Sequence, residues 1–190
     1  MASARLEDLP GFRRRFRISP GEASVCCDVE DDYHCMSVVI RHDGTAATSV
    51  EARMHRAPWT TCPGAEAKLC ETFTGLSLRA FANRGEKTAN CTHLYDLAVL
   101  AANHALDDQP TVYDILVSDP VDGMRRAELR KDGRKMMGWA EASLTILEPD
   151  ELAGTPLFEM QSWIQSLEPA LQEAARLLRW GNLLANGRSI

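Results

Sequence analysis

The Asp-Gly dipeptides at Asp43-Gly44 and Asp132-Gly133 constrain the fold of this chain more than any other local feature. Each stands between runs of β-like sequence, and Asp-Gly in that setting is a strong signal for a hairpin turn. Before the first dipeptide, apolar residues alternate with polar ones, which is the period of a half-buried strand. An antiparallel sheet is therefore predicted, with strands at residues 23–29, 35–40, 47–54, 112–117, 124–131 and 135–147.

Helical periodicity is clearest over residues 91–105. Leu94, Leu97, Ala98 and Ala101 repeat there at i, i+3, i+4 and i+7, which gives the helix one apolar face. Hairpins together with separate helices indicate an α+β fold, an antiparallel sheet built from hairpins with helices packed on it. The helices are predicted at residues 65–74, 91–105, 157–167 and 169–186.

The first 20 residues are predicted to form a solvated N-terminal arm. Proline and glycine pairs interrupt this segment, and arginines at positions 13, 14, 15 and 17 are expected to keep it in solvent. Residues 21–190 are predicted to form a single α+β domain, because 190 residues suffice for one sizeable core.

Charge and composition exclude several classes of partner. The net charge of −6 argues against nucleic acid, which requires a positive field. No apolar run approaches the ~20 residues that span a membrane. The N-terminus also lacks the apolar segment of a signal peptide. A cytoplasmic location is predicted, where the six cysteines stay reduced and do not form a disulfide framework.

Asp32-Tyr33-His34 is the first of three short motifs with reactive side chains. If this segment is an extended strand, Asp32 and His34 lie on the same face. Their carboxylate and imidazole can then act as a base with its orienting partner, or as two ligands of one metal ion. The alternative is a turn aspartate beside an edge-strand histidine, both at the surface.

Cys62 precedes Pro63, and proline is favoured in the first turn of a helix. The thiol of Cys62 is therefore predicted to lie at or near a helix N-cap. The helix dipole favours the thiolate there, which is the form that binds metals and attacks electrophiles. The alternative is a small buried side chain, since free cysteines are among the most buried residues.

Cys91, His93 and Asp96 form the strongest candidate cluster, at the start of the helix predicted over residues 91–105. Asn90 is a suitable N-cap for this helix. In its irregular first turn the side chains of Cys91 and His93 can converge on one point. Asp96 follows His93 by one helical turn, where it can orient the imidazole. The alternative is capping chemistry together with a buried cysteine.

A family resemblance rests on four segments: Asp32-Tyr33-His34, Arg56-Ala57-Pro58 leading to Cys62-Pro63-Gly64-Ala65, Gly75-Leu76, and Cys91-Thr92-His93-Leu94-Tyr95-Asp96-Leu97. Together they resemble the bacterial family named domain of unknown function 2889, from about residue 12 to the C-terminal helix. The Cys-Thr-His-Leu and Pro-x-x-x-Cys-Pro blocks are the most specific parts. Members of that family are associated with the breakdown of lignin-derived aromatics in proteobacteria. The resemblance thus implies a small enzyme acting on phenolic substrates.

The motifs together predict one divalent metal ion, zinc or alternatively iron, bound by His34, Cys62, Cys91 and His93. An enzyme requires one coordination position open to substrate or water. If all four ligands close the site, the metal is structural and the fold is a binding module. A third hypothesis has no metal, with Cys91 or Cys62 as an activated thiol and a histidine as its base.

The preferred chemistry is a metal-dependent lyase that breaks a C–C bond of a lignin-derived aromatic compound in a retro-aldol sense, with release of an aldehyde such as formaldehyde. Asp32 or Asp96 is the expected base. Tyr33 and Trp59 can stack on an aromatic ring. Arg56 either binds an anionic substrate group or is a surface charge. Metal-dependent hydrolysis is the alternative within this class.

The predicted partner is a small aromatic molecule, with neither nucleic acid nor membrane. A homodimer with a shared cleft stays open. An apolar stripe on the C-terminal helices is more typical of a core than of an interface; it comprises Trp163, Leu167, Leu171, Leu177, Leu178 and Trp180.

Overall fold

The computed structural model describes residues 5–58 and 64–189. In this part of the chain the strands are β1 (Gly11–Gly21), β2 (Ser24–Asp31), β3 (Cys35–His42), β4 (Ala47–Arg56), β5 (Thr111–Ser118), β6 (Met124–Lys131), β7 (Arg134–Ala142) and β8 (Thr145–Glu148). The α-helices are α1 (Ala65–Phe73), α2 (Thr92–Asn103), α3 (Gln161–Ser166) and α4 (Pro169–Ala185).

The strands form one sheet in the order β4-β3-β2-β1-β5-β6-β7-β8. Neighbours from β2 to β4 and from β5 to β8 pair in antiparallel fashion. The predicted α+β class is confirmed. The chain divides into two compact units, a central unit (Arg15–Val112) and a terminal unit (Met1–Arg14 with Tyr113–Ile190). The single domain predicted over residues 21–190 stays a prediction.

In the central unit, α1 packs on β4, and α2 packs on β2 and β3. Side chains alternate along these strands, so that every second one turns towards the helices and is buried. The apolar face predicted for α2 is confirmed, since Leu94, Leu97, Ala98 and Ala101 are all buried. The strand partners in this core are Val25, Cys27, Val29, Met36, Val38 and Ile40.

Asp43-Gly44 and Asp132-Gly133 each lie in a hairpin turn, as predicted. Gly44 has a φ of 89° in the β3–β4 connection. Asp132 and Gly133, with φ of 50° and 77°, form the two-residue β6–β7 turn. Positive φ at both central residues is the geometry that favours Asp-Gly in tight hairpins.

The single strand predicted over residues 135–147 is wrong, because the chain turns back inside it. Ser143 and Leu144 have φ of 50° and 66° and separate β7 from β8. The backbone N–H of Leu144 donates to Oε2 of Glu141 at 2.9 Å, and the Glu141 side chain is fully buried. A carboxylate at the end of β7 thus holds a turn that contains neither glycine nor asparagine.

The solvated arm predicted over residues 1–20 is also wrong for its second half, which forms β1. Phe12, Phe16 and Ile18 are buried along one face of this strand. Arg14 is buried on the same face, with its guanidinium carbon 4.3 Å from the ring centroid of Trp180 in the terminal unit. A cation stacked on an aromatic ring occupies a core position, so the run of arginines does not prevent strand formation.

The helix predicted over residues 157–167 is shorter, with a 3-10 turn at Leu157–Glu159 before α3. Pro169 occupies the first turn of α4, as expected. In the terminal unit, Leu177 and Leu178 of α4 are buried, which assigns that part of the apolar stripe to the core. Among the described residues, the helices are too short or too polar for any of them to cross a bilayer.

Candidate functional site

The turn between β2 and β3 is organised by the carboxylate of Asp31, the last residue of β2. Oδ1 of Asp31 accepts the backbone N–H groups of Tyr33 and His34, each at 2.8 Å. Nδ1 of His34 lies 3.0 Å from Oδ1 and 3.2 Å from Oδ2 of the same carboxylate. An ionised carboxylate can only accept, so Nδ1 carries the proton and the lone pair of Nε2 is left available to accept a hydrogen bond or to bind a metal ion.

His93 in the first turn of α2 lies directly beside His34. Their ring centroids are 4.0 Å apart, with the ring planes tilted by 44°. His34 is buried and His93 is half-buried. Because α2 packs on β2 and β3, the fold brings together two imidazoles that are far apart in sequence.

Asp31 is the residue of this site that sequence reasoning missed. Asp32 and His34 would share a strand face only if this segment were extended, and the structure forms a turn there instead. Residues 32–34 form the turn, Asp32 is exposed and His34 is buried. The signal was the alternation of Val25, Cys27 and Val29, which places Asp31 next on the buried face when continued by one step.

Tyr33 is half-buried in the same turn, and its ring meets the His34 ring edge-on at a centroid distance of 6.1 Å. A tyrosine in this position can contact an aromatic molecule that approaches the imidazoles. The catalytic roles of Tyr33 and of Asp32 stay predictions.

Arg56, the last residue of β4, contacts the turn from the other side. Its Nη2 donates to the backbone oxygen of Asp31 at 2.7 Å and to that of His34 at 3.4 Å. The same nitrogen lies 3.5 Å from a carboxylate oxygen of Glu30. The guanidinium therefore binds the protein backbone at the site.

The N-cap of α2 is Cys91, and not Asn90 as expected. The amide of Asn90 instead donates to the backbone oxygen of Glu86 at 3.0 Å and to the Thr72 hydroxyl at 3.1 Å. The thiol of Cys91 is half-buried, two residues before His93.

Asp96 forms an ion pair with Lys87, whose Nζ lies 2.5 and 2.6 Å from its two carboxylate oxygens. Its side chain is 29% exposed. The proposed role of Asp96 in orienting His93 stays a prediction.

Of the four predicted metal ligands, the structure brings His34 and His93 together. Cys62 lies outside the described residues, as does Trp59. Within residues 5–58 and 64–189, no group of three or more histidine, cysteine, aspartate or glutamate side chains is arranged to hold a metal ion. The four-ligand set therefore stays a prediction.

Two cavities in the described part of the chain are lined by residues other than the two imidazoles. One of about 220 Å³ in the central unit is lined by residues of β1 to β4, among them Arg17, Cys35 and His55. Another of about 380 Å³ in the terminal unit is lined in part by Lys135 and Gly138. Neither is lined by the two histidines of the site.

In a comparison with known proteins, one matched region contains the residues around the two imidazoles. A family model described as "Protein of unknown function (DUF2889)" matches residues 13–107. That range contains Asp31, His34, Arg56, Cys91 and His93, and it nearly coincides with the central unit. A search of curated proteins found no match. The chain belongs to the DUF2889 family.

Proposed function

We propose that this protein is a metal-dependent enzyme whose zinc or iron ion is bound by His34 and His93, with thiolates from Cys62 and Cys91 completing the ligand set. The observation that carries this proposal is the pair of neighbouring imidazoles, 4.0 Å apart between ring centroids, one of which is fixed by a buried carboxylate.

The chemistry of these groups fits a metal site. Histidine ligands commonly donate their second ring N–H to a carboxylate, which fixes the tautomer and the ring orientation. Asp31 holds Nδ1 of His34 in this manner, at 3.0 Å. Imidazole together with thiolate is a donor set that suits zinc and iron. Cys91 begins the helix that carries His93, so one thiol is already close in sequence.

For the reaction, we propose retro-aldol cleavage of a C–C bond in a lignin-derived aromatic compound. A base removes the proton of a substrate hydroxyl, and the C=O bond of an aldehyde such as formaldehyde forms as the C–C bond breaks. The electron pair of that bond stays on the aromatic fragment, whose carbon then takes up a proton. The metal would supply polarisation of a substrate oxygen. Asp32 or Asp96 is the proposed base, and Tyr33 the proposed contact for the ring. The substrate class is supported by the family resemblance alone. A cytoplasmic location belongs to the same proposal, because thiolate ligands stay reduced there.

The first test is the metal content of the purified protein by mass spectrometry, after anaerobic reconstitution with zinc or with iron. We expect about one metal ion per chain, and loss of that ion in His34→Ala and in His93→Ala. His55→Ala is the matched control, because His55 is an exposed histidine of the same unit and should retain the metal. Circular dichroism checks that each variant is folded. A metal-free wild type, or a folded His93→Ala variant that keeps its metal, would overturn the proposal.

The second test is aldehyde release from phenolic substrates, measured with the metal-loaded protein and with the protein after chelation. Activity that is lost on chelation and restored by the metal would support a lyase. A loaded protein that binds no exchangeable water and releases no aldehyde would instead be a structural metal module.

A further inference from the structure

We infer that Arg56 is a positioning residue of this site, and that its guanidinium fixes the turn that carries Asp31 and His34. The inference rests on the contacts around the turn, and only its metal-binding arm rests on the proposed function.

Strand register explains why Arg56 reaches this turn. Arg56 pairs with Cys35 across β3 and β4, and His34 immediately precedes Cys35. At the opening of the hairpin, the backbone N–H of Asp31 donates to the oxygen of His34 at 2.9 Å. Nη2 of Arg56 lies 3.4 Å from that same oxygen and 2.7 Å from the backbone oxygen of Asp31, so the arginine side chain reaches across the end of β3 to the opening of the hairpin.

The turn is held from both sides by charged groups. On one side the Asp31 carboxylate accepts two backbone N–H groups and the imidazole. On the other side Arg56 donates to the two backbone oxygens at its base. Hydrogen bonds with one charged partner are stronger than neutral ones. Because the carboxylate and the imidazole are attached to the residues whose oxygens Arg56 binds, a shift of those oxygens also displaces the pair.

The ion pair with Glu30 contributes less to this arrangement. Its N–O distance is 3.5 Å and its side chains are 48% and 58% exposed, so solvent screens it. The backbone contacts thus account for the position of Arg56. The residue acts through Asp31 and His34, without touching a substrate.

The test compares Arg56→Met and Arg56→Lys with Arg53→Met, a matched control, because Arg53 is an exposed arginine of the same strand. In the metal-free full chain, nitrogen-15-edited NMR measures how fast the Nδ1–H proton of His34 exchanges with water. The hydrogen bond to the Asp31 carboxylate slows this exchange. We expect exchange to accelerate about tenfold in Arg56→Met, the change that corresponds to loss of a hydrogen bond from a charged donor. Arg56→Lys should restore little of the slow exchange, since an ammonium group lacks the planar set of donors of a guanidinium.

Thermal unfolding of the same variants separates positioning from general stabilisation. The inference holds if Arg56→Met accelerates His34 exchange while Arg53→Met, with a similar midpoint, does not. Unchanged exchange in a folded Arg56→Met variant would overturn it, and so would equal acceleration in Arg53→Met.

Zinc titration then provides the arm that depends on the proposed function. If the metal site exists, Arg56→Met should weaken zinc binding about tenfold, as expected for partners that orient a ligand. A wild type that binds neither zinc nor iron would overturn the proposed function but leave the positioning role, which the NMR arm decides separately. Zinc binding that is equal in wild type and Arg56→Met would count against the positioning role.

Discussion

The central unit contains two aspartate–histidine pairs with the same sequence spacing, and they differ in almost everything else. In Asp31–His34 the side chains are 0% and 3% exposed, and Nδ1 lies 3.0 Å from the carboxylate. In His104–Asp107, at the end of α2, the distance is shorter, 2.6 Å, but the aspartate is 45% exposed. The shorter contact thus belongs to the pair whose carboxylate is open to water.

The difference shows that distance alone does not identify a functional pair. His104 is buried but Asp107 is half exposed, so solvent screens the contact between them and weakens it. His104 is the C-cap residue of α2, where the helix dipole favours a cation. Asp31 instead satisfies two backbone N–H groups besides the imidazole, and a second histidine lies beside its partner. The burial of Asp31–His34 and its additional hydrogen-bond partners, more than a short N–O distance, make this pair a candidate site.

The largest expected difference between the two pairs is in the free energy of unfolding that is lost when each carboxylate is removed. We expect Asp31→Ala to lower the free energy of unfolding by about 3 kcal/mol, because it leaves two turn N–H groups and a buried imidazole without their acceptor. Asp107→Ala should cost less than about 1 kcal/mol, since water replaces the exposed carboxylate. Urea denaturation of the two variants measures both values. Equal losses would show that burial does not distinguish the pairs.

The features that could be predicted from the sequence are those fixed by neighbouring residues. Asp-Gly prefers positive φ wherever it stands, so both hairpins were predictable. The Ser143-Leu144 turn was not, because it depends on the buried carboxylate of Glu141 and not on the turn residues themselves. β1 was missed since the burial of Arg14 depends on the ring of Trp180, far along the chain.

The candidate site also combines features set by neighbouring residues with features that depend on residues far apart in the sequence. His34 and His93 were predictable as reactive residues, but their contact depends on how α2 packs on the sheet. Asp31 was missed because its neighbour Asp32 is also an aspartate, and the two residues have the same chemistry. The strand alternation distinguishes them, because it points Asp31 inward and Asp32 outward.

Metal affinity should distinguish the pairs next, if the proposed function is correct. Asp31→Asn keeps the size of the side chain but removes the charge that orients His34. We expect zinc affinity to fall by about 10- to 100-fold, as for other partners of ligating histidines. Asp107→Asn should leave zinc affinity unchanged, because His104 is not in the proposed ligand set. Competition with a chromophoric chelator measures both affinities. An equal loss of zinc affinity in the two variants would show that the metal is not bound at His34.

Asp43 offers the smallest and most local comparison, because its carboxylate caps a turn as Asp31 does but in full solvent. Oδ1 of Asp43 accepts the N–H groups of Ala46 at 2.8 Å and Thr45 at 2.9 Å. These backbone hydrogen bonds, that of Ala46 first, hold the pKa of Asp43 below its ordinary value. A lowered pKa means that the capping stabilises the fold above the ordinary pKa and is lost as pH falls through the lowered one.

Carbon-13 NMR of the Asp43 carboxyl should therefore show a midpoint below that of an unstructured aspartate. The amide signals of Thr45 and Ala46 should shift with the same midpoint, because their acceptor becomes protonated. The remaining hairpin signals should stay unchanged, since an exposed turn contributes little to the core. A midpoint at the ordinary value would mean that two backbone N–H groups do not stabilise a solvated carboxylate here. The capping of the β2–β3 turn would then owe its strength to the burial of Asp31 alone.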